Sequence, residues 1–222
     1  MAAGAFRVAG EPIFLVPVER NGVADRADKL TAMMPSNLAV LNERQSVPSK
    51  LLGEPGPSAA ELEALVDSAL RVPDHGRLEP WRLVRVAGER RAQLGELLAR
   101  LHRERDPDLN DAAMEKDRQR FNHAPVVIVV VACLTVPHKV PEIEQILSAG
   151  CVAYNLLIGA QTLGFGAQWL TGWAAYDGEV RRALGLADNE RIVGFVHIGT
   201  AIERIADRQR PDAAARLSDW RG

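Results

Sequence analysis

The sequence predicts a layered α+β fold, and three observations carry that prediction. Val126 to Leu134 is a continuous, β-branched apolar run, the pattern of a strand covered on both faces. Ile143 to Leu163 reads as one long helix, apolar nearly all round and lined with small residues. Helical and extended segments follow one another without strict βαβ alternation, which argues against a doubly wound sheet.

The elements follow in order. A short helix spans about Ser36 to Glu43, and a turn rich in Pro and Gly follows at residues 53–57. Ser58 and Glu61 have the spacing of a capping box, so a helix starts there. Leu62, Leu65, Val66, Ala69 and Leu70 form its apolar face, and Pro73 ends it. Trp81 to Ala87 is a strand. Leu94, Leu97, Leu98 and Leu101 mark a second amphipathic helix, which runs into a charged stretch, Arg103 to Arg120, read as a solvated helix or loop. Ala149, Gly150, Cys151, Ala153, Gly159 and Ala160 give the long helix its small side, suited to close approach of backbones in the middle of a fold or a dimer. Gly164-Phe165-Gly166 ends that helix and opens a strand, Ala167 to Leu170. A helix near Gly178 to Leu184 precedes the last strand, Ile192 to Ile198, and the tail is polar and rich in arginine.

Length and charge narrow the function classes. A chain of 222 residues suits one domain and needs no disulfide or metal to hold it together. A net charge of −2 argues against a nucleic-acid or anionic-membrane partner, since both select basic surfaces. Cys133 and Cys151 each lie in an apolar run and read as two buried thiols in a reducing compartment. No signal peptide is evident, and Ile146 to Leu163 carries Ser148, Tyr154, Asn155 and Gln161, too polar to span a bilayer comfortably. The expected location is the cytoplasm. Residues 1–33 fit the rest poorly and read as a disordered extension or an early start, with an arm that packs on a partner subunit as the competing reading. The domain proper is then 34–222.

No GxSxG, HExxH or phosphate-binding loop is present. The glycine pair at Gly164 and Gly166 follows a helix and precedes a strand, the reverse of a dinucleotide fingerprint. None of His75, His102, His123, His138 and His197 has the spacing of a metal-ligand pair, and His102 reads as solvated. No metal site and no catalytic acid or base is assigned.

Three segments become informative together. They are Asn42-Glu43-Arg44-Gln45-Ser46, Ala69 through Arg82 with Pro73-Asp74-His75 and Glu79-Pro80-Trp81 inside it, and Gly164 through Gly172 with Trp169-Leu170-Thr171. In this order and spacing the set resembles the nitroreductase family, closest to its small bacterial members without long lid insertions. The resemblance runs from about Ser36 to Thr200 and includes Ser148-Ala149-Gly150-Cys151 and Ile192-Val193-Gly194-Phe195.

The resemblance implies a central mixed sheet flanked by helices, a homodimer formed through the central helices, and FMN at the dimer interface. It implies ping-pong hydride transfer from NADH or NADPH through flavin N5 to a small-molecule electron acceptor, such as a nitroaromatic or a quinone. Dehydrogenation or dehalogenation on the same scaffold and a flavin-poor binding homologue are the alternatives. Arg44, Gln45 and Ser46 match the family's phosphate-side motif, where a guanidinium and a hydroxyl suit a phosphate. His75 and Glu79 match flavin-lining positions, and Trp169, Leu170 and Thr171 match the strand end that passes along the flavin. Gln45 stands where close relatives often have a second arginine, Glu79 where many have Gln, and Leu170 where an arginine is common. Arg204, Arg208 and Arg210 in the tail are candidates to replace the missing charge.

Overall fold

The computed structural model describes residues 38–221. The predicted extension, 1–33, and the start of the first predicted helix lie outside the described residues. The chain divides into two units, residues 1–39 and 40–222. The elements below belong to the second, save Ala39 at the start of helix α1 (Ala39–Asn42).

A two-residue strand β1 (Leu52–Gly53) precedes helix α2 (Ala59–Ala69). Both arms of the capping box form: Ser58 Oγ accepts from Glu61 N–H, and Glu61 Oε2 accepts from Ser58 N–H at 2.8 Å. Strand β2 (Trp81–Ala87) leads to helices α3 (Glu89–Arg105) and α4 (Asp111–Gln119), then to strand β3 (Val126–Cys133). Helix α5 (Glu142–Thr162), strand β4 (Gly166–Leu170), helix α6 (Gly178–Ala183) and strand β5 (Glu190–Ala201) complete the order.

The α+β class holds, but the sheet is not mixed. Strand β5 pairs with β1, β3 and β4, β3 pairs with β2, and all four pairings are antiparallel. The connection from β2 to β3 passes through two helices, and β3 returns against the direction of β2. The uninterrupted apolar run in β3 reflects coverage on both faces, not strand direction. Val127, Val129 and Val131 pack with Leu94, Leu98 and Leu101 of α3, while Ile128 and Val130 pack with α2 and α5. Alternate side chains of one strand thus belong to two cores.

Helix α5 covers one of those faces. Ala149, Val152, Ala153, Leu156, Leu157 and Ala160 are buried against the sheet and α2. With 21 residues and a mean hydropathy of 1.3, α5 is long and apolar enough by composition to cross a membrane. What assigns it to the core is this packing, together with buried Gln145, whose amide serves Thr135 and Val140. Its other side is open: Ile143, Leu147, Cys151 and Tyr154 are exposed. Cys151 therefore departs from the buried thiol expected, because an apolar neighbourhood in sequence does not say which side of a helix is covered. Cys133 is half-buried beside Glu190, and burial first, then Glu190, pushes its thiol up to about 11.

The charged stretch 103–120 also departs from expectation. It holds α4, and Asp117 within it is buried. His102 is not simply solvated, since its Nδ1 lies 2.6 Å from Asp117 Oδ2. One carboxylate among the many charges of this stretch looks like surface until tertiary donors surround it.

Candidate functional site

The sequence-matched residues fall into two groups at opposite ends of α5. The first lies at its C-terminal end. Gln161 Oε1 accepts from Gln45 N–H at 3.0 Å, Ala167 O accepts from Val47 N–H at 3.0 Å, and Gln168 Oε1 accepts from Ser49 N–H at 2.6 Å. These bonds lay segment 44–49 along the start of β4. Arg44 Nη1 donates to Ser46 Oγ at 3.2 Å, so the cation and the hydroxyl share one patch. The tail joins them: Arg210 Nη2 reaches Arg44 O at 3.3 Å and Asp207 Oδ1 at 2.6 Å.

Strand β4 starts beside this patch and runs back along α5, so that the Trp169 ring reaches Gly150, near the middle of the helix. Trp169 Nε1 donates to Val193 O at 3.2 Å, and the indole lies flat over Gly194, where a Cβ would stand only 1.9 Å from Nε1. Trp169 therefore wedges into the core at β5. Leu170 and Thr171 are half-buried at the strand end. Gly172 follows with φ +70°, a conformation that glycine reaches without strain.

The second group lies at the N-terminal end of α5. Ser148 Oγ donates to Pro73 O at 2.6 Å, and Asn155 Nδ2 donates to Ala69 O and Arg71 O. Polar residues of α5 thus satisfy the carbonyls that α2 leaves open at its end and seat the following loop. Asp74 then accepts from Leu78 N–H at 3.1 Å and Glu79 N–H at 2.9 Å. That grip holds Arg77 at φ +54° and Glu79 at φ +46°, left-handed conformations that cost a non-glycine residue about 1–2 kcal/mol each. His75 Nδ1 lies 2.7 Å from Glu144 Oε2, which leaves Nε2 free to face a ligand. Glu79 is exposed at the rim of a cleft of about 360 Å³ lined by Val66, Leu70, Trp81, Arg82 and Leu83.

Within one chain the Arg44–Ser46 patch and the His75–Glu79 loop stand at opposite ends of the helix. Glu144 marks one and Gln161 the other, and they stand about 25 Å apart along the axis at 1.5 Å per residue. The open apolar row of α5 runs between them.

Sequence reasoning missed the residues that hold these groups in place. Gln161 and Gln168 act through their amides on a segment more than a hundred residues away, and Asp74 acts on a local turn; of these, only the Asp-x-x-x-x spacing of Asp74 left a local trace. Buried Asp117 lies behind the strand end. Asp117 accepts from His102 Nδ1, from Arg120 Nη2 at 3.0 Å and from Trp173 Nε1 at 3.4 Å.

The sequence profile of the nitroreductase family matches residues 41–200. A Haemophilus influenzae protein named "Putative NAD(P)H nitroreductase" is 37% identical over 174 residues, which is 78% of this chain and 91% of that protein. Escherichia coli YdjA, of the same designation, is 34% identical across 73% of this chain and 87% of its own length. Among solved structures, a nitroreductase-like protein from Bacillus cereus superposes with a TM-score of 0.71 at 23% identity, covering 86% of this chain and 98% of that one. A Bacteroides fragilis nitroreductase with bound FMN gives 0.64 at 18% identity, covering 85% and 100%. From the profile match and the two curated relatives, the chain belongs to the nitroreductase family, a family of oxidoreductases.

Proposed function

We propose that the protein is a homodimeric, cytoplasmic NAD(P)H-dependent FMN oxidoreductase that reduces a small electrophile of the nitroaromatic or quinone class. The observation that carries this reading is the division of the site: two half-sites at opposite ends of α5, with an exposed apolar row of Ile143, Leu147, Cys151 and Tyr154 between them. Antiparallel pairing of two α5 rows about a two-fold axis brings the C-terminal end of one helix to the N-terminal end of its partner. One cofactor then draws its phosphate contacts and the Trp169–Thr171 wall from one subunit and its His75 and Glu79 contacts from the other.

The residues present fit FMN. Arg44, Ser46 and Arg210 give an exposed patch with two guanidinium groups and a hydroxyl, suited to charge-assisted bonds with a phosphate. The cleft beside Glu79 is mostly apolar and of the size that takes a planar ring system. When bound, FMN supplies two-electron chemistry at N5, between NAD(P)H and the acceptor in ping-pong order.

The chain's own residues bind and orient. Arg44 and Ser46 hold the phosphate end, and Arg210 adds the charge that Gln45 lacks. The carbonyls of the Trp169–Thr171 segment and the side chains of Leu170 and Thr171 form the wall along the ring, while the Trp169 indole anchors it in the core. Glu144 fixes the His75 ring so that Nε2 points away from the helix and toward the cofactor edge. Asp74 sets the Glu79 backbone, and the Glu79 carboxylate, which bonds to no described residue, accepts a hydrogen bond from the ring's N–H edge.

The test is a visible spectrum of the purified protein, repeated anaerobically with NADH or NADPH. A yellow protein bleached by either cofactor is the expected result. A colourless protein that stays colourless after incubation with FMN overturns the reading.

A further inference from the structure

Arg120 stands between the buried network behind β4 and the strand-end segment, and neither half-site described above uses it. Asp117 fixes one arm of its guanidinium, Nη2, at 3.0 Å. The other arm lies against the open side of Gly172, where a Cβ would stand 3.0 Å from Nη1. Its Nε is buried and has no partner among the described residues. A buried guanidinium N–H without an acceptor carries a desolvation cost that nothing among the described residues returns.

The position matters because of what shares it. Leu170 stands opposite Phe195 in the β4–β5 ladder, so the two lie on one face of the sheet. Phe195 packs edge-on against Phe121, the residue that follows Arg120. Arg120 therefore reaches the same end of the same face as Leu170, which brings no charge there. His197 on this face is fully buried and stacked on Phe121; burial first, then the charge of Arg120, lowers it to about 4. It is neutral at pH 7, whereas Arg120 is always charged.

We propose that Arg120 is a cofactor-binding cation: held by Asp117 against Gly172, its guanidinium supplies positive charge to the flavin edge along Trp169–Gly172 and favours the anionic reduced flavin over the oxidised form. The proposal rests on the FMN reading above. Gly172 serves it twice, by its backbone conformation and by leaving the guanidinium room to approach. Asp117 is a positioning residue; His102 and Trp173 hold its carboxylate in turn.

The experiment titrates apoprotein with FMN by fluorescence and measures the flavin midpoint potential anaerobically against reference dyes. For Arg120→Gln, FMN affinity falls about tenfold, the order expected for a unit charge acting over several ångströms near a protein surface. Preference for the reduced form falls about tenfold as well, which lowers a two-electron midpoint by about 30 mV. The double variant R120Q/L170R restores charge at the strand end from the other side and recovers the wild-type midpoint. An unchanged midpoint and affinity in R120Q overturn the proposal. A loss in R120Q that L170R does not recover also overturns it, assigning Arg120 to packing alone. Should R120Q fail to fold by circular dichroism, Arg120→Lys decides: a wild-type midpoint supports the charge role, and a fall of about 30 mV refutes it. Wild-type apoprotein that takes up no FMN is a separate result, the failure of the FMN reading itself.

Discussion

Replacing Leu147 by lysine tests whether the open row of α5 is a subunit interface. Leu147 is 61% exposed in the single chain. Full burial of a leucine is worth roughly 1.5–3 kcal/mol, so covering the exposed part contributes about 1–2 kcal/mol per copy. A two-fold axis counts the residue twice, giving about 2–4 kcal/mol per dimer before the added cost of burying an ammonium. At 1.4 kcal/mol per factor of ten, the dimer Kd rises by about thirtyfold to several hundredfold. Sedimentation velocity over a concentration series reads that change directly, and FMN titration of the same samples must follow it, since Leu147 touches neither half-site. The fold of the subunit is unaffected, because the substitution is on the surface and changes stability by only about 0.5 kcal/mol. An unchanged dimer Kd refutes the interface. A monomeric variant that binds FMN as tightly as the wild type refutes the shared site.

Three further outcomes follow from the geometry. Glu190 takes both nitrogens of the Arg82 fork, at 2.5 and 2.8 Å, and this holds its carboxyl at about 2 instead of 4.5. With Arg82 37% exposed and partly screened, the pair is worth about 2 kcal/mol, a stability present above pH 4.5 and lost as pH falls toward 2. Glu190→Gln should lower the urea midpoint at pH 7, with the gap from wild type closing in acid; a constant gap counts against the linkage. Gly194→Ala places a methyl against the Trp169 indole and should cost about 1–3 kcal/mol, read as a lower urea midpoint and altered tryptophan emission. Glu79→Gln removes a carboxylate from the flavin edge and should raise the flavin midpoint, and an unchanged redox titration disposes of any charge effect from Glu79.

Local signals in the sequence were enough for most of the elements, though not for β1, whose Gly53 reads as the start of a turn. Ser58 and Glu61 announce a helix start because both arms of the capping box lie within four residues. Strand β2 falls at Trp81–Ala87, as predicted, because its β-branched and aromatic residues lie between Pro80 and Gly88. Helix α5 begins and ends within one residue of expectation, since its apolar period is long and a glycine pair stops it. What local signals do not carry is direction and partnership. Strand direction is set by the route of the whole connection, since β2 and β3 are joined through two helices and β4 and β5 through one α-helix yet both pairs are antiparallel, and nothing in the β3 run records that route. The burial of Asp117 depends on His102 from α3 and Trp173 after β4, which meet only in three dimensions. The left-handed backbone of Glu79 depends on Asp74 five residues earlier, and a glutamate in Glu-Pro-Trp gives no hint of it. The family resemblance named residues at both ends of α5, but only the structure shows that one chain keeps them a helix length apart.

That separation makes the two ends genetically independent. A subunit crippled at Arg44 keeps an intact loop at His75 and Glu79, and a subunit crippled at that loop keeps Arg44. In the homodimer proposed above, each variant alone gives two damaged sites. Mixed in equal amounts and allowed to exchange, half of the dimers are hybrids, and each hybrid concentrates both lesions in one site and leaves the other whole. About a quarter of all sites are then restored from two dead parents, a complementation that two lesions at the same end cannot produce.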